Sequence, residues 1–307
     1  MRIGLIDVDG HNFPNIPLMK ISAWHKWQGD HVEWYSQMFS GKMDRVYMSK
    51  IFSFTPDYDG CIEAEEIIKG GSGYCIEKSG NKEIYNSWKD QQLPCEIEHI
   101  YPDYEIYSKL TRDKAYGFLS RGCPRGCPFC HVGAKEGKRS YKTANLSEFW
   151  KGQENICLCD PNILACKESE DLLGQLIDSK AIVDFNQGID VRLATPEKIE
   201  MLNKIRIKTI YLAWDQPKQD LKEDFRRFSE CYKRKSDHGK VVYVLVNFNS
   251  TLEEDLYRIY TLRELQYDPY VMIYDKQNAD KERKRLARWV NSRQIWRSCR
   301  RFEDYTA

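Results

Sequence analysis

The sequence feature that most constrains the fold is a regular alternation of strand-like and helix-like runs from about residue 110 onward. Each strand-like run is rich in β-branched or aromatic residues and precedes a helix-like run, which is typical of parallel βαβ units rather than of an antiparallel sheet. The predicted strands are Ala115–Ser120, Asn155–Asp160, Ala181–Gln187, Lys208–Asp215, Lys240–Phe248 and Tyr270–Asp275. The predicted helices are Leu146–Lys151, Ser169–Ser179, Pro196–Ile205, Asp220–Lys235, Leu252–Leu265 and Lys281–Arg297. Six βα units fall short of the eight that close a full barrel, so the pattern predicts a partial (β/α)6 TIM-like barrel.

The first 110 residues follow a different pattern, with shorter β-type runs around one helical run. The predicted strands are Arg2–Asp7, His31–Tyr35, Arg45–Ser49 and Glu65–Lys69, and the predicted helix is Ile16–Trp27. This arrangement predicts a small Rossmann-like α/β domain. The polar, aromatic segment Tyr101–Lys114 has no clear periodicity and is interpreted as a linker. We therefore expect two domains, residues 1–110 with the linker and residues 111–307.

The composition is that of a globular protein, with 41% hydrophobic and 30% charged residues and a net charge of +1. No run approaches the roughly 20 apolar residues that a membrane span requires, so we expect no membrane association. The first strand-like run has neither the length nor the flanks of a secretory signal, which makes the cytoplasm the expected location. The eleven cysteines are scattered over a long chain and are odd in number, which favours reduced thiols and a metal site over a disulfide framework.

Three of those cysteines form a tight cluster, Cys123-Pro-Arg-Gly-Cys127-Pro-Phe-Cys130, directly after the first strand of the predicted barrel. Three close thiolates can each bind one iron of a cubane 4Fe-4S cluster, while the glycines and prolines permit a tight loop. The fourth iron would then lack a protein ligand. An open iron allows a substrate or cofactor to coordinate and receive an electron.

A structural zinc site is the main alternative, with His131 or one of Cys157, Cys159 and Cys166 as the fourth ligand. Zinc ribbons usually carry two paired knuckles a dozen or more residues apart, and no second knuckle of that kind follows here. Cys157 and Cys159 alternate along one predicted strand, and burial as small hydrophobic side chains accounts for them. The spacing therefore favours iron–sulfur over zinc.

The stretch from Tyr116 to Cys130, Tyr-Gly-Phe-Leu-Ser-Arg-Gly-Cys-Pro-Arg-Gly-Cys-Pro-Phe-Cys, resembles the radical S-adenosylmethionine (radical SAM) superfamily. The hallmark of that family is a CxxxCxxC loop after the first strand of a partial (β/α)6 barrel. The stretch is similar to the form in members that carry an N-terminal cobalamin-binding-like domain. The resemblance implies that Cys123, Cys127 and Cys130 hold a 4Fe-4S cluster and that Phe129 packs near the adenine of S-adenosyl-L-methionine. It further implies reductive cleavage of that cofactor to methionine and a 5′-deoxyadenosyl radical, which abstracts hydrogen from a substrate.

Further cofactor contacts in this family come from strand ends at the barrel mouth, in keeping with ligand binding at the carboxyl ends of parallel strands. Polar residues follow the second and third predicted strands, and they are Asp160, Asn162, Asn186, Gln187, Asp190 and Arg192. Buried polar side chains need partners, which a ribose or a carboxylate would supply. Hydrogen bonding between neighbouring loops is the alternative. Trp214-Asp215 and Asn247 follow the next two strands and are weaker candidates.

Asp9-Gly10-His11, after the first strand, is similar to the Asp-x-His loop with which some cobalamin-binding domains supply an imidazole to cobalt. Pro14 stands where a glycine follows in that pattern, and the domain is short for the whole cofactor. Bound cobalamin is therefore not expected, and a vestigial or substrate-binding layer is expected instead.

The C-terminal segment 281–301 carries nine Lys or Arg residues and one acid, Glu282. Leu286, Trp289, Val290 and Trp296 fall on one side of the predicted helix, so that one face docks and the other is cationic. A solvated charged face is the plain interpretation, and contact with nucleic acid is the functional one. For the radical's substrate the sequence gives only this lead, which favours nucleic acid or nucleotide modification, with peptide modification next.

Reduction of the cluster would need a partner protein, and flavodoxin or ferredoxin is expected. Two other functions compete with the radical SAM interpretation. They are a zinc-stabilised nucleic-acid-binding module and a non-catalytic electron-transfer protein.

Overall fold

The computed structural model describes residues 1–79, 82–233 and 239–306. The chain divides into two compact units, Met1–Cys159 and Asp160–Ala307. The two domains expected from the sequence, residues 1–110 and 111–307, stay a prediction. Both units are mixed α/β structures with parallel strands, as the alternating pattern predicts.

Within its described residues, the first unit has ten strands, one long helix and several short ones. Its strands are β1 (Arg2–Asp7), β2 (His31–Trp34), β3 (Met43–Ser49), β4 (Ala64–Gly70), β5 (Ile76–Ser79), β6 (Lys82–Tyr85), β7 (Lys114–Gly117), β8 (Ser120–Arg121), β9 (Tyr141–Lys142) and β10 (Asn155–Leu158). Its helices are α1 (Ile16–Trp27), α2 (Ser72–Cys75), α3 (Cys95–Glu98), α4 (Ser108–Thr111) and α5 (Val132–Lys135), with 3-10 turns at Ser87–Lys89, Tyr104–Tyr107 and Leu146–Glu148.

The amino-terminal sheet has the order β2-β1-β3-β4, and all its pairs are parallel. Successive side chains of β1 point to opposite faces, so Ile3 and Leu5 join one apolar cluster with Leu18 of α1, while Ile6 joins another with Val46. The helix α1 begins where the Asn15 side chain accepts a hydrogen bond from the Leu18 N–H, a normal N-cap. Further along the unit, β7 pairs in parallel with β10, and β5 forms an antiparallel hairpin with β6.

The second unit carries the regular βα alternation. Its strands are β11 (Ile182–Phe185), β12 (Arg206–Ile207), β13 (Ile210–Ala213), β14 (Lys240–Val246) and β15 (Asp268–Ile273). Its helices are α6 (Ser169–Ser179), α7 (Pro196–Lys204), α8 (Lys222–Cys231), α9 (Leu252–Glu264), α10 (Lys281–Asn291) and α11 (Arg293–Ser298), with 3-10 turns at Ile163–Ala165 and Val191–Leu193.

The strands β13, β14 and β15 pair in parallel in that order, and β11 pairs in parallel with β12. Alternate residues of β13 and β14, such as Leu212 and Val242, are fully buried, as is Phe225 of α8. The intervening residues, such as Tyr211 and Tyr243, occupy the other sheet face and are only partly buried. Apolar packing on one face therefore fixes β13 and β14.

Several predicted elements differ from the structure. The strand predicted at Ala115–Ser120 ends at Gly117, because the chain then turns so that Leu119 O accepts the Thr143 N–H and β8 pairs antiparallel with β9. The helix predicted at Leu146–Lys151 is a single 3-10 turn. The predicted C-terminal helix is broken at Ser292 into α10 and α11. The helix predicted at Asp220–Lys235 is α8, which begins at Lys222 and ends earlier than predicted, at Cys231, where Tyr232 takes an extended conformation. Arg234 and Lys235 lie outside the described residues.

Within the described ranges, no helix combines the length and the apolar character needed to cross a bilayer.

Candidate functional site

The loop with the three clustered cysteines begins beside β8, at a glycine whose backbone no other residue could adopt without strain. Gly122 has a φ of +77°, and a Cβ at this position would lie 2.2 Å from the Arg139 carbonyl oxygen. Both the left-handed conformation and the close backbone approach therefore require glycine here. This residue fixes the direction in which the chain enters the loop.

Glu136 closes the loop from its far end. Its Oε2 accepts the Gly122 N–H at 3.0 Å, and its Oε1 accepts a hydrogen bond from the Arg121 guanidinium at 3.0 Å. The Cys123 N–H donates to the Gly137 carbonyl at 3.2 Å, which links the same two ends of the loop. Inside the loop, the Cys130 N–H donates to the Cys127 carbonyl at 3.0 Å, a tight turn. The cysteines thus lie on a loop whose two ends are tied by backbone and carboxylate contacts.

The three thiols of this loop are accessible. Cys123 and Cys127 are partly exposed and Cys130 is exposed, whereas Cys157, Cys159 and Cys166 are buried. Thiolates are the usual protein ligands of iron–sulfur clusters, so the donor set fits such a cluster in chemistry and in access. Within the residues that the structure describes, however, no three His, Cys, Asp or Glu side chains are grouped in an arrangement that could hold a metal ion. The chain brings the three cysteines onto one short loop without placing them in a ligand geometry.

The proposed fourth ligands of a zinc site have other surroundings. Cys157 and Cys159 belong to an apolar cluster with Met19 and Tyr116. Cys166 donates a hydrogen bond to Glu168, and burial raises the pKa of its thiol, which disfavours the thiolate that zinc requires. His131 Nδ1 lies 3.3 Å from a carboxylate oxygen of Glu83. The burial of Cys157 and Cys159 confirms the interpretation of these two as core residues.

A second polar group forms in the second unit. It combines Asn162, the N-cap residue of the first 3-10 turn, with two residues that follow β11. Arg192 donates to both carboxylate oxygens of Asp190, at 2.7 and 3.2 Å, and to Gln219 Oε1 at 2.6 Å. Asn162 is buried, and its Nδ2 donates to Asp190 Oδ2 at 3.3 Å. The structure therefore brings together three of the sequence-predicted residues, Asn162, Asp190 and Arg192.

The other predicted residues of this group are placed differently. Asp160 is buried, Asn186 is half-buried and Gln187 is exposed. Asn186 and Gln187 occupy a turn that the Gly188 N–H closes on the Phe185 carbonyl. Phe129, on the cysteine loop of the first unit, is half-buried.

Asp215 follows β13 and is a buried carboxyl with a perturbed pKa. Its Oδ1 accepts the Leu245 N–H at 3.2 Å, yet burial outweighs that hydrogen bond and raises the pKa of Asp215 to about 6. Beside it, the buried guanidinium of Arg258 donates to the Trp214 carbonyl at 2.6 Å and to the Leu245 carbonyl at 2.9 Å. Arg258 thus ties the carboxyl ends of β13 and β14 together.

Sequence reasoning missed Arg258, Gln219 and Glu136. Arg258 lies on a helix that looks ordinary and amphipathic, and the one available signal was an arginine among the apolar residues of its inner face. Gln219 and Glu136 lie in polar segments, where nothing in the sequence distinguishes them from solvated residues.

In the amino-terminal loop, the His11 ring packs edge-on against Trp34 at a centroid distance of 4.4 Å. Asp9 Oδ1 accepts a hydrogen bond from the Thr55 hydroxyl at 2.7 Å. Both side chains therefore have partners within their own unit, and the expectation on cobalamin stays a prediction.

Comparison with known protein families gave no matching family model, and comparison with curated proteins gave no match.

Proposed function

We propose that this chain is a radical SAM enzyme. The observation that carries the proposal is the CxxxCxxC loop of accessible thiols that follows β7, with its ends tied through Glu136. Cys123, Cys127 and Cys130 would hold three irons of a 4Fe-4S cluster and leave the fourth open. When bound, such a cluster supplies the electron that splits S-adenosyl-L-methionine into methionine and a 5′-deoxyadenosyl radical.

We further propose that the strands β7, β10, β11, β13, β14 and β15 correspond to the six strands of a partial (β/α)6 TIM-like barrel. Their order along the chain and the parallel pairs β7–β10 and β13–β14–β15 support this. The four-stranded parallel sheet around β1 supports a Rossmann-like, cobalamin-binding-like layer before the barrel.

For the residues around the cofactor, we propose binding and orienting roles. Phe129 would pack on the adenine, and Asp160, Asn162, Asn186, Gln187, Asp190 and Arg192 would contact the ribose and the methionine moiety. The bidentate Asp190–Arg192 pair is what recommends this group, because it holds the guanidinium in one orientation. A guanidinium held in this way can bind a carboxylate without losing further side-chain freedom.

The proposed partners follow from this chemistry. Reduction of the cluster needs an electron donor, for which flavodoxin or ferredoxin is our expectation. The cytoplasm is the proposed location, because thiols stay reduced there. Nucleic acid or nucleotide modification leads as the reaction, ahead of peptide modification.

A zinc-stabilised nucleic-acid-binding module is the second candidate. Cys157 and Cys159 were two of the four residues considered for its fourth zinc ligand, and their burial in an apolar cluster argues against both. A non-catalytic electron-transfer protein is the third. It would use the same three cysteines.

Metal analysis of protein purified anaerobically tests the proposal. We expect a brown protein with about four irons per chain, and a loss of that iron in the Cys123→Ser, Cys127→Ser and Cys130→Ser variants. Cys61→Ser, at an exposed cysteine outside the loop, is the matched control and should keep the iron. A colourless protein with about one zinc per chain would favour the zinc module instead.

A further inference from the structure

A basic cavity of about 560 Å³ lies in the second unit, at the amino-terminal ends of β14 and β15. Its lining comes from the starts of these strands, the end of α9 and the α10–α11 junction. The proposed cofactor residues of this unit, such as Asp190 and Arg192, follow a different strand, β11, at its carboxyl end. None of the proposed cofactor residues lines the cavity.

Arginine dominates the charge of this cavity. Its lining includes Arg263, Arg293, Arg297 and Arg300, against the carboxylate of Asp268. Arg293 and Arg300 are exposed, and in the described part of the chain neither guanidinium takes part in an ion pair. Two arginine side chains are therefore available at the rim for an anionic ligand.

A third arginine is held rigidly at the wall. The Arg263 guanidinium stacks 3.7 Å from the centroid of the Trp296 ring, and it donates to the carbonyls of Trp296 and Arg300. Burial and the neighbouring Arg300 charge both lower the pKa of Arg263. The Arg263 guanidinium is thus a fixed positive charge close to that of Arg300, and a bound anion would reduce the repulsion between the two.

An aromatic surface adjoins these charges. Tyr270 lines the cavity and is 46% exposed, so this aromatic residue is accessible to a ligand. The Tyr270 ring contacts Tyr243 edge-on at a centroid distance of 5.9 Å, and Tyr243 stacks on Tyr211 at 5.5 Å. These contacts hold the Tyr270 ring in place. An exposed aromatic ring beside arginines is the combination with which proteins bind single-stranded nucleic acid, since bases stack and phosphates pair with guanidinium groups.

We propose that this cavity binds single-stranded nucleic acid, with phosphates on Arg293 and Arg300 and one base against Tyr270. Its concave shape and its size suit one unpaired nucleotide at a time. If the bound strand is also the substrate of the radical, that part of the inference rests on the proposed function. The binding itself needs neither the cluster nor S-adenosyl-L-methionine.

Fluorescence anisotropy of a labelled single-stranded RNA 20-mer with the full chain, loaded with metal or not, tests the binding. The double variant Arg293→Ala/Arg300→Ala should bind about 10- to 100-fold more weakly, and it should lower the magnitude of the slope of log affinity against log salt by about 1.4, or about 0.7 for each lost phosphate contact. The control Lys167→Ala/Lys276→Ala removes two exposed lysines that do not line the cavity, and it should bind like the wild type. Tyr270→Ala should weaken binding by about 5-fold or more, while Tyr270→Phe, which keeps the ring, should not.

Several results would overturn the proposal. These are no binding of the wild type at 50 mM salt, wild-type affinity in the double arginine variant, and equal competition by a poly-glutamate peptide or by inorganic phosphate alone. The radical SAM assignment is unaffected by any of them. Conversely, a protein that binds RNA through these arginines but holds no iron would contradict the proposed function and keep this site.

Discussion

Glu136 and Gly122 are joined by a hydrogen bond that closes the cysteine loop, since Glu136 Oε2 accepts the Gly122 N–H at 3.0 Å. The second carboxylate oxygen of Glu136 holds Arg121, whose guanidinium lies 3.5 Å from the centroid of the Phe118 ring. One carboxylate thus fixes both the backbone at the loop entrance and the side chain next to it. This contact therefore fixes the backbone directly before Cys123, where the cysteine loop begins.

Replacing Glu136 should therefore impair metal loading. Glu136→Ala removes two charge-assisted hydrogen bonds, each worth about 1.5–3 kcal/mol, although the partial exposure of Arg121 reduces the contribution of its bond. We expect a lower iron content after anaerobic reconstitution and faster hydrogen exchange at the Gly122 amide. Glu154→Ala, at an exposed carboxylate of the same unit, is the control. Unchanged iron content and amide protection in Glu136→Ala would contradict this role.

Phe129 should contribute to the affinity for S-adenosyl-L-methionine. Loss of an aromatic packing partner costs about 0.5–1.5 kcal/mol, so Phe129→Ala should raise the KM for this cofactor by about 2- to 10-fold with iron content unchanged. Phe129→Tyr keeps the ring and should retain the wild-type KM. Steady-state assays of 5′-deoxyadenosine formation measure both values. An unchanged KM in the alanine variant would remove Phe129 from the proposed site.

Asp215 should make stability depend on pH between about pH 4 and 6. Burial raises its pKa from 3.8 to about 6, so the folded protein binds the proton more tightly than the unfolded chain does. This stabilisation is full below about pH 4 and is lost as the pH rises through about 6. Asp215→Asn keeps an acceptor for the Leu245 N–H without the charge, and it should be more stable than the wild type at pH 7 by up to ~3 kcal/mol.

Urea unfolding at pH 4, 5, 6 and 7 measures this difference, with Asp178→Asn, at an exposed carboxylate, as the control. Parallel pH profiles for the wild type and Asp215→Asn would show that Asp215 is not the titrating group.

The buried Arg258 should be among the most sensitive positions for stability. Arg258→Met leaves the fully buried Asp255, which lies 2.6 Å from the guanidinium, without this partner, and two carbonyls lose their donor. Breaking a buried pair in this way costs about 3–5 kcal/mol of unfolding free energy. Denaturant titration should show this loss, with partial recovery when Asp255→Asn is added. Arg226→Met, which breaks an exposed pair with Glu223, should cost less than about 1 kcal/mol, and an equal loss in both variants would refute the argument.

Local rules accounted for much of the fold. The predicted bounds of β1, α1 and α6 match the structure, because alternation along β1, the Asn15 cap and the apolar stripe of α6 are encoded within a few residues of each other. The capping box of Thr251 and Glu254 likewise marks the start of α9. These signals depend on short-range geometry, which a sequence displays directly.

Long-range contacts account for what could not be predicted. The end of β7 depends on the pairing of Leu119 with Thr143, and Arg258 is satisfied by Trp214, 44 residues away. The same distinction holds for the candidate site. The sequence displays the cysteine spacing and marks Asp190 and Arg192 as polar residues after one strand. It shows neither their pairing nor the roles of Glu136 and Gln219, which arise only when the chain folds.

The most direct test of the central claim is cleavage of S-adenosyl-L-methionine under anaerobic reduction with dithionite. The iron-loaded wild type should form 5′-deoxyadenosine and methionine in equal amounts, Cys127→Ser should form none, and Cys95→Ser, outside the loop, should behave like the wild type. The absence of 5′-deoxyadenosine from wild-type protein with a full complement of iron would contradict the assignment as a radical SAM enzyme.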